Sequence, residues 1–165
     1  MNLRAPALRS ELNEPQDDGS ARRVLLELYR AGLQAVDGER RVADALREDA
    51  AHSVAVIALG KAGAAMMRGA EAVFGARLTH GFVVTDEHNA AAFPVSPPIE
   101  VHAGDHPVPG VRSLAAGAAL LRFLDALPAG LAVRVLVSGG ASSLVEHPLP
   151  GVTLAHLQAL NVWAH

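Results

Sequence analysis

The segment Val54-Ala55-Val56-Ile57-Ala58-Leu59 is an uninterrupted apolar run that stops at Gly60. Six apolar residues with no polar alternation predict a strand buried on both faces. Such a strand needs helices above and below it, and the chain supplies them. Ala62 to Phe74 is rich in Ala and Met and closes at Gly75. Gly81 to Thr85, Ile99 to Ala103 and Val133 to Val137 are further short runs with β-branched residues, and the last of them also reads as a buried strand. Between and after them, Arg112 to Leu127 and Leu154 to Ala164 carry helical spacing. Short strands alternating with helices predict an α/β fold: a Rossmann-like, open, mainly parallel sheet with helices on both faces.

Ahead of this pattern, Val24, Leu25, Leu28, Ala31, Ala35 and Val36 predict a helix over 21–36, broken at Asp37-Gly38. Val42, Ala45 and Leu46 predict a short second helix. Residues 1–19 are polar and irregular and read as a flexible lead-in, with Ser20 as the next helix cap. Asp86 to Pro98, with Phe93-Pro94 and Ser96-Pro97-Pro98, reads as a loop. The domain is thus expected over 20–165. Its last helix has Leu157, Leu160 and Trp163 on one side and no C-cap signal after it, so the domain is expected to be incomplete at its C-terminal end, the front portion of a longer protein.

Composition narrows the function classes. Aromatics are 4%, so the core must come from Ala, Val and Leu. The net charge of −3, without a basic stripe, argues against tracking nucleic-acid phosphates. There is no cysteine, hence no disulfide or thiolate chemistry. No signal peptide and no membrane-spanning run is visible, and a cytoplasmic location is the expectation.

Three segments at predicted strand ends carry the chemistry. The first is Gly60-Lys61-Ala62-Gly63. Lys61 is the single lysine among 14 basic side chains. A lysine kept in an arginine background suggests a compact, mobile ammonium that a rigid guanidinium would not replace. The segment is neither a Walker A loop nor a dinucleotide fingerprint. Backbone N–H groups at the start of the following helix, with the ammonium, would favour an anion. The second is Gly104-Asp105-His106-Pro107-Val108-Pro109-Gly110. Its prolines stiffen the loop and hold His106 extended, where Asp105 could orient it or both could meet a substrate. His102, Asp105 and His106 match no zinc spacing, and no metal ligand is assigned. The third is Ser138-Gly139-Gly140-Ala141-Ser142-Ser143. Its glycines allow N–H groups to converge on an anion, and its hydroxyls add donors. The plainer reading is a strand-to-helix turn with Ser142 or Ser143 as N-cap. In a parallel sheet these three loops would gather at one edge, giving a plausible phosphoryl-transfer cleft.

With Ala58-Leu59 before the first segment and Leu144 and Pro148 after the third, the chain resembles the N-terminal region of the glycerate 2-kinase family, the type II glycerate kinases, from about Ala21 to Trp163. The resemblance implies transfer of the ATP γ-phosphoryl group to D-glycerate, giving 2-phosphoglycerate, with a divalent metal such as Mg2+. Lys61 matches the family's catalytic lysine. Gly60, Ser138, Gly139, Gly140, Ser142 and Ser143 would cradle phosphate or glycerate, with Asp105 and His106 on the matching His-Pro loop. Some relatives carry a hydroxypyruvate reductase label, which the missing dinucleotide fingerprint makes unattractive here. Family members are much longer and complete their cleft with a second, C-terminal domain, so this chain alone is expected to be inactive. Gly110 also stands where many relatives have an aspartate. The competing expectations are a phosphosugar-binding module of the sugar-isomerase type and a non-catalytic truncated remnant. The remnant would self-associate through the Leu157/Leu160/Trp163 face, which a missing domain would otherwise cover.

Overall fold

The computed structural model describes residues 18–94 and 97–164. The chain divides into two compact units, Met1–Val36 and Asp37–His165. Within the first, α1 spans Asp18–Ala35. Ser20 therefore lies inside the first helical turn rather than capping it. The expected lead-in falls outside the described residues except for Asp18 and Gly19, which begin α1.

The second unit holds everything else. The helix α2 (Gly38–Leu46) starts where Asp37 accepts the Arg40 N–H at 2.8 Å. A side-chain cap of this kind satisfies one of the orphan donors of the first turn. Then follow β1 (Val54–Leu59), α3 (Gly63–Phe74), a 3₁₀ turn at Gly75–Arg77 and β2 (Leu78–Asp86). The remaining elements are α4 (Glu87–Ala92), β3 (Ile99–Gly104), α5 (Val111–Ala126), β4 (Ala132–Val137), α6 (Ala141–Leu144) and α7 (Leu154–Ala164).

The four strands form one sheet in the order β3-β2-β1-β4, and each of the three pairings is parallel. Side chains alternate across it. Val54, Val56, Ala58 and Val83 face a layer made by Val42 and Leu46 of α2 and by Met67, Ala70 and Phe74 of α3. Ile57, Phe82 and Val84 face Ala116, Ala119 and Phe123 of α5, with Leu144 of α6. Helices thus cover both faces, as the double burial of β1 requires. Burying one such side chain contributes roughly 1.5–3 kcal/mol, so these two layers dominate the stability of the unit. Small residues set the spacing. A Cβ at Gly69 would run into the backbone of Glu39, which is why α2 can lie against α3.

Two expectations need correction. The segment 86–98 is not all loop, because α4 occupies Glu87–Ala92, with Asp86 accepting the Asn89 N–H at 3.0 Å. And β4 is not buried on both faces. Arg134 and Leu136 are half-buried, whereas Val133, Val135 and Val137 are exposed. The cause is topological: β4 is an edge strand, and α5 and α6 are in contact with β2 and β3 on that side of the sheet. Arg134 is tied down by Asp49, with Nε 2.6 Å from the carboxylate.

Strand order reverses direction between β1 and β4: the chain first builds β2 and β3 on one side of β1, then places β4 on the other. The carboxyl ends of β1 and β4 therefore flank a topological switch point, the place where open α/β sheets leave a crevice. That is where the first and third segments of interest begin.

Candidate anion-binding cleft at the switch point

Gly60 ends β1 with φ 111°, in the region that only glycine enters freely. A side chain there would also overlap the Ser138 hydroxyl and carbonyl. Both constraints let the two strand ends close on each other. Ser138 N–H donates to Leu59 O at 2.8 Å, Lys61 N–H to Gly139 O at 2.9 Å and Ala62 N–H to Ser138 Oγ at 3.0 Å. The Lys61 carbonyl is held from the other side by Thr85 Oγ1 at 3.3 Å and Asn89 Nδ2 at 3.2 Å. Thr85 is fully buried at the end of β2, and Asn89 comes from α4. The backbone of Lys61 is thus pinned by three elements, while its side chain is exposed.

These bonds change the expected role of the Lys61 turn. The N–H groups of Lys61, Ala62 and Gly63 already have acceptors within the protein. The start of α3 therefore brings the ammonium to the cleft, but few free amides.

The free amides are on the other strand. Among the described residues, the N–H groups of Gly139, Gly140, Ala141 and Ser142 meet no protein acceptor. Gly140 holds φ 86°, and this left-handed residue followed by the right-handed turn of α6 makes consecutive N–H groups converge. Neither Ser142 nor Ser143 is an N-cap. Gly140 takes that position; Ser143 is buried and turns its hydroxyl back to Gly140 O at 3.1 Å, and Ser142 is exposed.

The second segment joins the other two at Gly140. A Cβ on this residue would stand 3.0 Å from His106 Cδ2, 3.2 Å from His106 Nε2 and 3.3 Å from Lys61 Cγ. Lys61, His106 and the Gly-Ser turn, far apart in sequence, therefore share one small space. His106 is exposed, and the His106–Pro107 peptide is cis.

Asp105 is placed differently from the other site candidates. Its carboxylate is engaged by Arg112 rather than by His106, with Nε at 2.7 Å and the backbone N–H at 2.9 Å. Burial works to raise its pKa, but the bonds and charge of Arg112 outweigh it, and the carboxyl titrates below the usual aspartate range. Arg112 also reaches Glu87 at 2.8 Å. Gly110 leaves room for this arrangement, since a side chain there would overlap the Asp105 carboxylate. Asp105 thus anchors the loop to α5. Two more anchors come from α7, where Gln158 Nε2 donates to Pro109 O at 3.0 Å and Asn161 Nδ2 to Pro107 O at 3.3 Å.

Sequence reasoning missed Thr85, Asn89, Gln158, Asn161 and also Ser113, whose hydroxyl accepts the Asp105 N–H at 3.0 Å. They are ordinary polar residues outside any motif, and only the fold brings them to the cleft. Among the described residues, no cluster of three or more His, Asp or Glu side chains is placed to hold a metal ion. No described helix is long and apolar enough to cross a membrane.

Comparison with known proteins places this geometry in context. The family described as "Domain of unknown function (DUF4147)" matches residues 24–163. The D-glycerate 2-kinase of Thermotoga maritima is 32% identical over 145 residues, covering 88% of this chain and 34% of that protein. A putative hydroxypyruvate reductase of Agrobacterium vitis is also 32% identical, over 88% of this chain and 32% of its own length. The crystal structure of a glycerate kinase from Thermotoga maritima superposes with a TM-score of 0.76 at 31% identity, covering 86% of this chain and 34% of that one. A second structure, the PH0495 protein of Pyrococcus horikoshii, gives a TM-score of 0.68 at 28% identity, covering 82% of this chain and 33% of that one. The chain thus spans about a third of the length of these relatives.

Proposed function

The chain belongs to the DUF4147 family, and from that premise we propose that its switch-point cleft is the phosphate-handling part of an ATP-dependent D-glycerate 2-kinase. One observation carries the reading: four consecutive backbone N–H groups, Gly139 to Ser142, stand without protein acceptors beside the single lysine. Such a set offers consecutive donors to an anion.

In this reading the four amides hold phosphate oxygens or the glycerate carboxylate. The Lys61 ammonium follows the transferred phosphoryl group and stabilises charge as it spreads over the equatorial oxygens. Thr85, Asn89 and Gly139 hold its backbone by hydrogen bonds, so the long side chain extends from an anchored point. His106, exposed beside Gly140, orients the acceptor hydroxyl of glycerate. The oxygen of that hydroxyl bonds to the γ-phosphorus, the bond to the bridging oxygen of ATP breaks, and the hydroxyl proton leaves with solvent or His106. The divalent ion travels with the nucleotide in this proposal, and no protein residue is assigned to it. Hydride transfer finds less support, since the β1 turn reads Gly60-Lys61-Ala62-Gly63 and contains no dinucleotide fingerprint.

Titration of the chain with ATP by calorimetry tests the proposal. The expected outcome is saturable binding that Lys61→Ala weakens about tenfold, a loss typical of removing one charge-assisted contact, and that Lys61→Arg does not restore. Turnover is expected to be at least about a hundredfold below that of a full-length relative, because lost transition-state charges cost that much. Equal binding by wild type and Lys61→Ala would contradict the assignment of the lysine.

A further inference from the structure

Ser113 lies in the first turn of α5 and is fully buried. Its hydroxyl is used to capacity. The oxygen accepts the Asp105 N–H at 3.0 Å and the Gly110 N–H at 3.3 Å, the two ends of the His106 loop. Its proton goes to the Ser143 carbonyl at 2.6 Å, in the Gly-Ser turn. The Ser113 carbonyl accepts the Glu146 N–H at 3.1 Å, just beyond that turn. A hydroxyl has one proton and two lone pairs, so no capacity is left over. Backbones crowd around it for the same reason. Side chains at Gly104 and Gly117 would collide with the backbone of Leu144 and Glu146.

We propose that Ser113 is a positioning residue that locks the His106 loop to the Gly139–Ser142 amides, setting the distance between the acceptor-orienting imidazole and the anion cradle. Its significance for catalysis rests on the kinase reading, but the coupling itself does not. The logic is local. Asp105 precedes His106, and Gly110 closes the same loop, so a single oxygen fixes both ends of a six-residue span. The same hydroxyl holds the segment that follows the four free amides. Arg112, Gln158 and Asn161 add anchors to the loop, but none of them bonds to the Gly-Ser turn. Among the described residues, Ser113 is the one whose side chain bonds to both.

The test is residue-resolved amide hydrogen exchange on the 165-residue chain, with nucleotide titration alongside. In Ser113→Ala, protection at Asp105 and Gly110 is expected to fall at least tenfold more than at Val56 and Phe82 in the sheet. The loss of protection is expected to spread to the Ser143 and Leu144 amides, which donate to Gly140 O in the Gly-Ser turn, and ATP affinity to drop about tenfold. Val42→Ala, in the opposite core layer, supplies the control for general loss of stability and should lower protection evenly. If Ser113→Ala does not fold, Ser113→Cys, which is slightly larger and offers only a weak sulfur donor and acceptor, decides the matter by the same comparison. An even loss of protection, matching that of Val42→Ala, would overturn the proposal. If no variant and no wild type binds ATP, the kinase reading fails, while exchange at Asp105, Gly110, Ser143 and Leu144 still decides the coupling.

Discussion

At the scale of single residues, the cleft depends on a missing side chain. Gly140 leaves the space that His106 and Lys61 occupy, and its φ of 86° favours glycine. Gly140→Ala is expected to cost about 1–2 kcal/mol from the backbone conformation alone. Its methyl would also press against the His106 ring at about 3 Å, so anion binding should fall more than stability does. Chemical denaturation paired with ATP titration separates the two effects; a loss of stability with unchanged binding would show that Gly140 is only a turn. Lys61, His106 and Gly140 were legible in the sequence, because glycine turns and a solitary lysine at a strand end carry their own physical signature. Ser113, Thr85 and Asn89 were not. Each acts through a bond to a backbone group distant in sequence, and nothing in a serine, threonine or asparagine by itself announces such a partner.

At the scale of elements, the His106 loop is tied to α5 by an ion pair whose strength depends on pH. The folded pKa of Asp105 lies below its ordinary value of 3.8, so its pairing stabilises the fold above that pH. The contribution disappears as pH falls through the lowered folded value. Asp105→Asn should therefore be less stable than wild type near neutrality, and the gap should close progressively below about pH 3.8. Denaturation midpoints of the two proteins between neutral and acid pH measure this, and a constant gap across the range would exclude the pairing as its source. The strands were readable as elements because apolar runs end at glycine, proline or charge. The helix α4 was not. It has six residues, no apolar face long enough to show a period, and proline soon after, so its evidence is the Asp86 cap. Equally hidden was the open face of β4. Its alternating valines are buried or exposed according to where the strand falls in the sheet, and sheet order is not written in any one segment.

At the scale of the whole molecule, the second unit is built on a parallel sheet whose order, β3-β2-β1-β4, places two glycine turns side by side at the switch point. The relatives it matches are about three times longer. Leu160, Val162 and Trp163 of α7 and the three valines of β4 are exposed. The account rests most directly on the four free amides. An isotope-labelled sample titrated with ATP, and in parallel with inorganic phosphate, reads them one by one through their NMR shifts. The account predicts saturable shifts concentrated at Gly139, Gly140, Ala141 and Ser142 and reduced in Lys61→Ala. Shifts that cluster elsewhere on the chain, or none at these four positions at saturating ligand, would contradict it.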